Sequence, residues 1–144
     1  MNRSMSQYIG VIEGLKVETT PRYQKTSTQT FCNYFAQDVM SNLEASLPSG
    51  RCADMLTALE NGFSKWKYLA SYLAASFKAQ DGIPTIAITS DHIAVVRPYD
   101  QAYPTGTGTV RIAQAGSDNF SNDKLSRGWG SNRFPEIKYY YWNE

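Results

Sequence analysis

Two cysteines and one histidine are all that this 144-residue chain holds of the residues that most often bind metal or act as soft nucleophiles. The shortage narrows what it can do. Cys32, Cys52 and His92 stand in no recognisable zinc spacing, so no metal is expected. Charge of one sign is scarce as well: 14 Lys and Arg face 13 Asp and Glu, for a formal charge of +1, which offers no field for gathering nucleic acid or an anionic membrane. No apolar run is long enough to span a bilayer, so membrane insertion is not expected. The opening stretch, Met1-Asn-Arg-Ser-Met-Ser-Gln-Tyr-Ile-Gly10, lacks the uninterrupted apolar run of about 7 to 15 residues that marks a secretory signal. The expectation is synthesis and folding in the cytoplasm, where two cysteines read as thiols rather than a structural bridge. A phosphate-cradling loop is missing too, because Pro104-Thr-Gly-Thr-Gly-Thr109 precedes a strand and not a helix, as a hairpin turn does.

What is there is aromatic: 10 Tyr, 6 Phe and 3 Trp in a chain long enough for a single domain with its own core. Residues 1–20 are polar and mixed, and read as a lead-in segment followed by a Thr- and Ser-rich loop. From Thr30, a candidate N-cap, the apolar residues Phe31, Phe35, Val39 and Leu43 recur every four positions, the stripe of a helix buried on one side. Leu47-Pro-Ser-Gly50 would end it. Met55, Leu56 and Leu59 predict a second helix stopping near Asn61-Gly62, and a third runs from about Lys67 to Gln80. Strand patterns follow over 83–89, 91–97, 109–115 and 137–142. Helices first and antiparallel strands afterwards predict an α+β domain over residues 1–144, with N-terminal helices packed on one face of the sheet.

The chemistry centres on Cys32. An isolated cysteine on an apolar helix is usually a small buried hydrophobe, and an isolated histidine in a strand is usually a satisfied core group. Taken together they read differently. A thiol in the first turn of a helix feels the positive end of the helix dipole, which favours the thiolate. A neutral imidazole at His92 on a facing strand can take a proton and return it to a leaving amine. Such a pair needs a third group to hold the imidazole's tautomer. Gln114, polar among Val110, Ile112, Ala113 and Ala115, can do so unless it faces solvent. Asp118 and Asn119 are alternatives, whereas Asp91 is a poor orienter because successive strand side chains point to opposite faces. Cys52 reads as a packing residue at the start of the second helix. Trp129 and the aromatics of 139–142 are either cleft walls or packing.

The order of these elements resembles the NlpC-type branch of papain-like cysteine hydrolases, and within it the first family of type VI secretion amidase effectors and small phage endolysin-like domains. The stretches that carry the resemblance are Phe31-Cys-Asn-Tyr-Phe-Ala-Gln-Asp-Val39, Gly50-Arg-Cys-Ala-Asp-Met-Leu56, Trp66, Gly82-Ile-Pro84, Asp91-His-Ile-Ala-Val-Val-Arg-Pro98 and Ala113-Gln-Ala-Gly-Ser117, across about residues 20 to 142. The resemblance implies a papain-like fold with Cys32 as nucleophile, His92 as base and Gln114 as the third, polar member. It puts Tyr23 and Asn33 on the oxyanion and substrate side, Asn33 standing where relatives carry a small serine.

It further implies a cofactor-free hydrolase that cuts an amide in the peptide stem or crosslink of peptidoglycan through a thioester. Such an enzyme would reach the wall, in the periplasm, through a holin lesion or a specialised secretion machine. An effector would also have an immunity protein as partner. Two other readings stand beside it: a cysteine protease or deamidase acting on a cytoplasmic protein, and a catalytically inactive binding module.

Overall fold

The computed structural model describes residues 4–144 of the chain, so the first three residues of the expected lead-in lie outside it. Much of the rest of that lead-in is a helix, α1 (Met5–Gly14). Its start is a capping box: the Ser4 hydroxyl accepts from the Gln7 N–H at 3.1 Å, and the Gln7 side chain accepts from the Ser4 N–H at 2.9 Å. Tyr8 and Ile12, one turn apart, are fully buried, and that burial holds the helix against the rest of the fold.

α2 (Cys32–Asn42) begins one residue later than the sequence suggests, with Phe31 and not Thr30 at the cap position and no side chain capping it. Phe31 stacks on Tyr34, with ring centroids 5.1 Å apart. Cys32 is thereby the first helical residue, with its N–H among the unpaired donors that every helix start presents. The helix also stops before the expected Leu47-Pro48 breaker. Glu44 takes a left-handed φ of 56°, and Ala45 N–H bonds Met40 O at 2.9 Å, which is a Schellman closure. α3 (Cys52–Glu60) ends at Asn61-Gly62 as predicted.

The expected third helix is really two elements. Trp66–Leu69 form strand β1, Ser71 caps the next turn by accepting from the N–H groups of Leu73 and Ala74, and α4 spans Tyr72–Gln80. Tertiary pairing overrides local pattern here, because β1 lies along the C-terminal strand with Trp66 opposite Trp142.

The remaining strands are β2 (Thr85–Ile88), β3 (Ile93–Val96), β4 (Arg111–Gln114), β5 (Phe120–Lys124) and β6 (Lys138–Trp142). They form one six-stranded sheet in the order β1-β6-β2-β3-β4-β5, with every neighbouring pair antiparallel. The α+β expectation and its antiparallel sheet hold. The helices-first order does not, because β1 precedes α4. β2 and β3 are buried at all four positions, and since alternate residues face opposite sides, the centre of the sheet is covered on both faces. α2 packs on β3 and β4, and α4 packs on β1, β2, β3 and β6. The sequence pattern concealed β5 because Ser121, Asn122, Asp123 and Lys124 are polar; it is an edge strand held by its ladder to β4. Among the described residues no helix is long and apolar enough to cross a membrane.

Candidate active site

β2 and β3 are joined by a tight turn in which Thr89 N–H bonds His92 O at 2.9 Å. His92 therefore stands in the turn of the hairpin, just before β3 and not within a strand as expected. The β3–β4 register, Val95 opposite Ala113 and Val96 opposite Ile112, continues to put Gln114 opposite Ala94. His92, two residues along from Ala94, is Gln114's diagonal neighbour on the same face. A register shift between Ile112 and Gln114 against β5 falls at this point, where such irregularities commonly re-aim a side chain.

The contact follows. His92 Nε2 and Gln114 Oε1 are 2.8 Å apart. Gln114 is only 2% exposed, and its Nε2 donates to Asp118 O at 3.0 Å, which turns the amide so that its oxygen faces the imidazole. With Oε1 as acceptor, His92 carries a proton on Nε2 and leaves Nδ1 as its accepting nitrogen. Gln114 thus faces the histidine and not solvent. Asp118 contributes a backbone carbonyl, and Asn119 Oδ1 holds Gly116 N–H at 2.9 Å. Gly128 leaves room for the pair: a Cβ there would lie 2.5 Å from Gln114 Oε1. On its other side His92 meets Trp129 edge to face, centroids 4.6 Å apart, and the indole N–H is anchored on Thr89 Oγ1 at 3.0 Å.

Cys32 meets this histidine from α2. Its thiol is held well below the ordinary cysteine range by the Cys52 S–H that points at it, opposed by burial and helped further by a hydrogen bond from His92, the charge of His92 and the Ile93 N–H. Its position at the head of α2 acts in the same sense. The two sulfurs are 3.5 Å apart. Cys52 is buried in the core at the start of its helix, as expected of a packing residue, but it also meets Cys32: it is the first residue of α3 as Cys32 is of α2, and the two helix starts converge. The burden of the shared proton falls on Cys52, whose thiol is pushed up by its contact with Cys32 and by burial.

Two adjoining hollows flank this centre. One, of about 430 Å³, is lined by Gln29, Cys32, Asn33, Arg51 and Cys52 among others; the second, of about 250 Å³, by His92, Gln114 and Trp129. Thr30 and Asp91 border both, so the thiol and the imidazole sit where the hollows meet. Asp91 turns away to Arg133, with contacts of 2.9 and 3.3 Å, and its carboxyl is held below the usual range by Arg133 and the Thr89 hydroxyl. Its expected failure as an orienter is what the geometry gives.

The other assigned residues divide. Asn33 lines the cleft, where its Nδ2 donates to Gly50 O at 3.3 Å. Tyr23 is not brought to the thiol. Its hydroxyl donates to Asp38 Oδ2 at 2.6 Å and its ring packs edge on to Phe35. Asp38 lies six residues along α2 from Cys32, about 9 Å along the helix axis.

Sequence reasoning overlooked Gln29 and Arg51. The side chain of each opens on the cleft with no hydrogen bond or ion pair to the described residues. Among the described residues no group of three or more His, Cys, Asp and Glu is arranged to hold a metal. No protein-family model matches the chain, and no curated protein is significantly similar to it. What the cleft can do follows from its own atoms. They are an acidified thiol, a base with a fixed tautomer, an orienting amide and room for an extended ligand on either side.

Proposed function

We propose that the protein is a cysteine-type hydrolase of peptide amides, acting on the peptide stem or crosslink of peptidoglycan. The observation that carries the reaction class is the run from Asp118 O through Gln114 to His92, whose imidazole lowers the Cys32 thiol, since an imidazole held in one tautomer beside a thiol at a helix start is the minimum equipment for thioester chemistry. The Cys32 thiol passes its proton to His92 Nδ1 and its sulfur attacks the amide carbonyl carbon. The oxygen that becomes negative is met by the Cys32 N–H at the head of α2. His92 delivers its Nδ1 proton to the departing amine. Water, deprotonated by His92, then attacks the thioester, releasing a carboxylic acid and returning the thiol.

The substrate class rests on two supports. One is the resemblance in element order to NlpC-type wall hydrolases. The other is the unpaired Arg51 guanidinium in the larger hollow, which suits a peptide that carries free carboxylates as wall stems do. Gram-negative sacculi incubated with the protein should release soluble muropeptides, with mass spectrometry identifying the bond cut, and Cys32→Ala should release none. Absence of release by the native protein, or equal release by the variant, overturns the cell-wall reading.

A further inference from the structure

The Cys32 thiol faces a second thiol that the hydrolytic cycle above does not consume. We propose that Cys32 and Cys52 are a reversible redox modification site: a peroxide converts them to an intramolecular disulfide that removes the nucleophile, and a dithiol reductant restores it. The consequence for hydrolysis rests on the function proposed above; the modification itself does not.

Three observations carry it. The sulfurs already touch at 3.5 Å, so an S–S bond requires an approach of only about 1.5 Å. Each cysteine is the first residue of its helix and both line the 430 Å³ hollow, so a small oxidant can reach them although each is only 6% exposed. The approach to α3 is loosely tethered: Gly50 turns with a φ of 101°, and its carbonyl is held by Asn33 and Gln37 side chains at 3.3 and 3.4 Å, the long end of hydrogen-bond distances. No third cysteine exists in the chain to divert the pairing.

The roles are unequal. The Cys32 thiolate attacks one peroxide oxygen and the O–O bond breaks, giving Cys32 sulfenic acid, while the departing alkoxide or hydroxide takes up the proton that the thiol had lost and leaves as an alcohol or water. Cys52 then loses its proton and attacks the sulfenyl sulfur. The S–S bond forms as hydroxide leaves, and that hydroxide takes the proton as water. Two thiols have lost two electrons to the peroxide. Reduction by a dithiol reverses the change and returns both S–H groups.

The test treats native protein with hydrogen peroxide and reads intact mass and free-thiol count, neither of which depends on hydrolysis. The expected result is a loss of about 2 Da with no free thiol left, reversed by dithiothreitol. Cys52→Ser keeps a hydrogen-bond donor but cannot close the ring, and its Cys32 is expected to gain about 32 Da as sulfinic acid that dithiothreitol does not reverse. Over-oxidation of native protein at the variant's rate, or disulfides only between molecules, overturns the proposal. In the second arm, muropeptide release should stop on oxidation and return on reduction. Disulfide closure in a protein that never releases muropeptides defeats only the hydrolase reading, and release that survives a closed disulfide defeats the redox control.

Discussion

The two ends of the β2–β3 hairpin each bury polar groups, and they use them in opposite ways. At the open end the Tyr8 hydroxyl from α1 donates to Val96 O at 2.6 Å, lies 3.1 Å from Thr85 O and accepts from Thr85 N–H at 3.0 Å. Every valence of the hydroxyl is used, and burial pushes its ionisation far above the range in which proteins work. At the turn end His92 has one nitrogen satisfied by Gln114 and the other left open at the edge of a cleft, where the imidazole lowers the Cys32 thiol. A saturated polar group is a fastener. One with a fixed orientation and an open valence beside a cavity is equipped for chemistry, and such groups are where perturbed ionisation gathers.

Substitutions at the two ends should therefore fail differently. The largest effect is expected at the turn end. Cys32→Ala and His92→Ala should each lower turnover on sacculi by about 10⁴-fold or more with little change in melting temperature. A large loss of stability with modest loss of activity would make this end a second fastener. Gln114→Ala and Gly128→Ala should each cost about 10²-fold in kcat, since both free the imidazole from its orientation, the second by driving a methyl group into Gln114 Oε1. Unchanged kcat in Gly128→Ala would show that the amide does not position His92.

The pH dependence is a finer probe. The Cys32 thiol is lowered first of all by the Cys52 S–H, so alkylation by iodoacetamide should stay fast well below neutral pH and fall only as the pH drops through the lowered value. In Cys52→Ala that donor is gone, the pKa rises and the fall should come at higher pH. An unmoved profile would assign the acidity to His92 and the helix start instead. The smallest effect on activity is expected at the open end. Tyr8→Phe leaves Thr85 N–H without a buried partner and should lower stability by about 1 to 3 kcal/mol in denaturant unfolding, with kcat unchanged.

Local chemistry made some elements legible. The four-residue recurrence of Phe35, Val39 and Leu43 announces α2, and Asn61-Gly62 announces the end of α3. α1 was legible too, because Ser4 and Gln7 spell a capping box ahead of Tyr8, Val11 and Ile12, yet the polar residues around it read as lead-in. β1 and β5 are different: nothing local distinguishes Trp66–Leu69 from a helix turn, or Phe120–Lys124 from a loop, and both exist as strands through their partners. At the site, Cys32 and His92 are conspicuous because the chain is so poor in both residue types, and Gln114 because it is polar in an apolar run. Tyr23 was assigned by likeness of order to relatives, which carries no information about where a hydroxyl points.

The sequence by itself determined the inventory: one histidine, two thiols at helix starts, an antiparallel α+β pattern and no excess of charge. Helix starts and strand alternation are set by neighbours a few residues away, so a linear reading reaches them. Only the tertiary structure decided that α2 and α3 begin side by side with their sulfurs in contact, that His92 stands outside its strand, and that Gln114 meets it from β4. These are separations of a few ångströms between residues about 20 apart in the chain, fixed by packing on both faces of the sheet, and no local propensity encodes them.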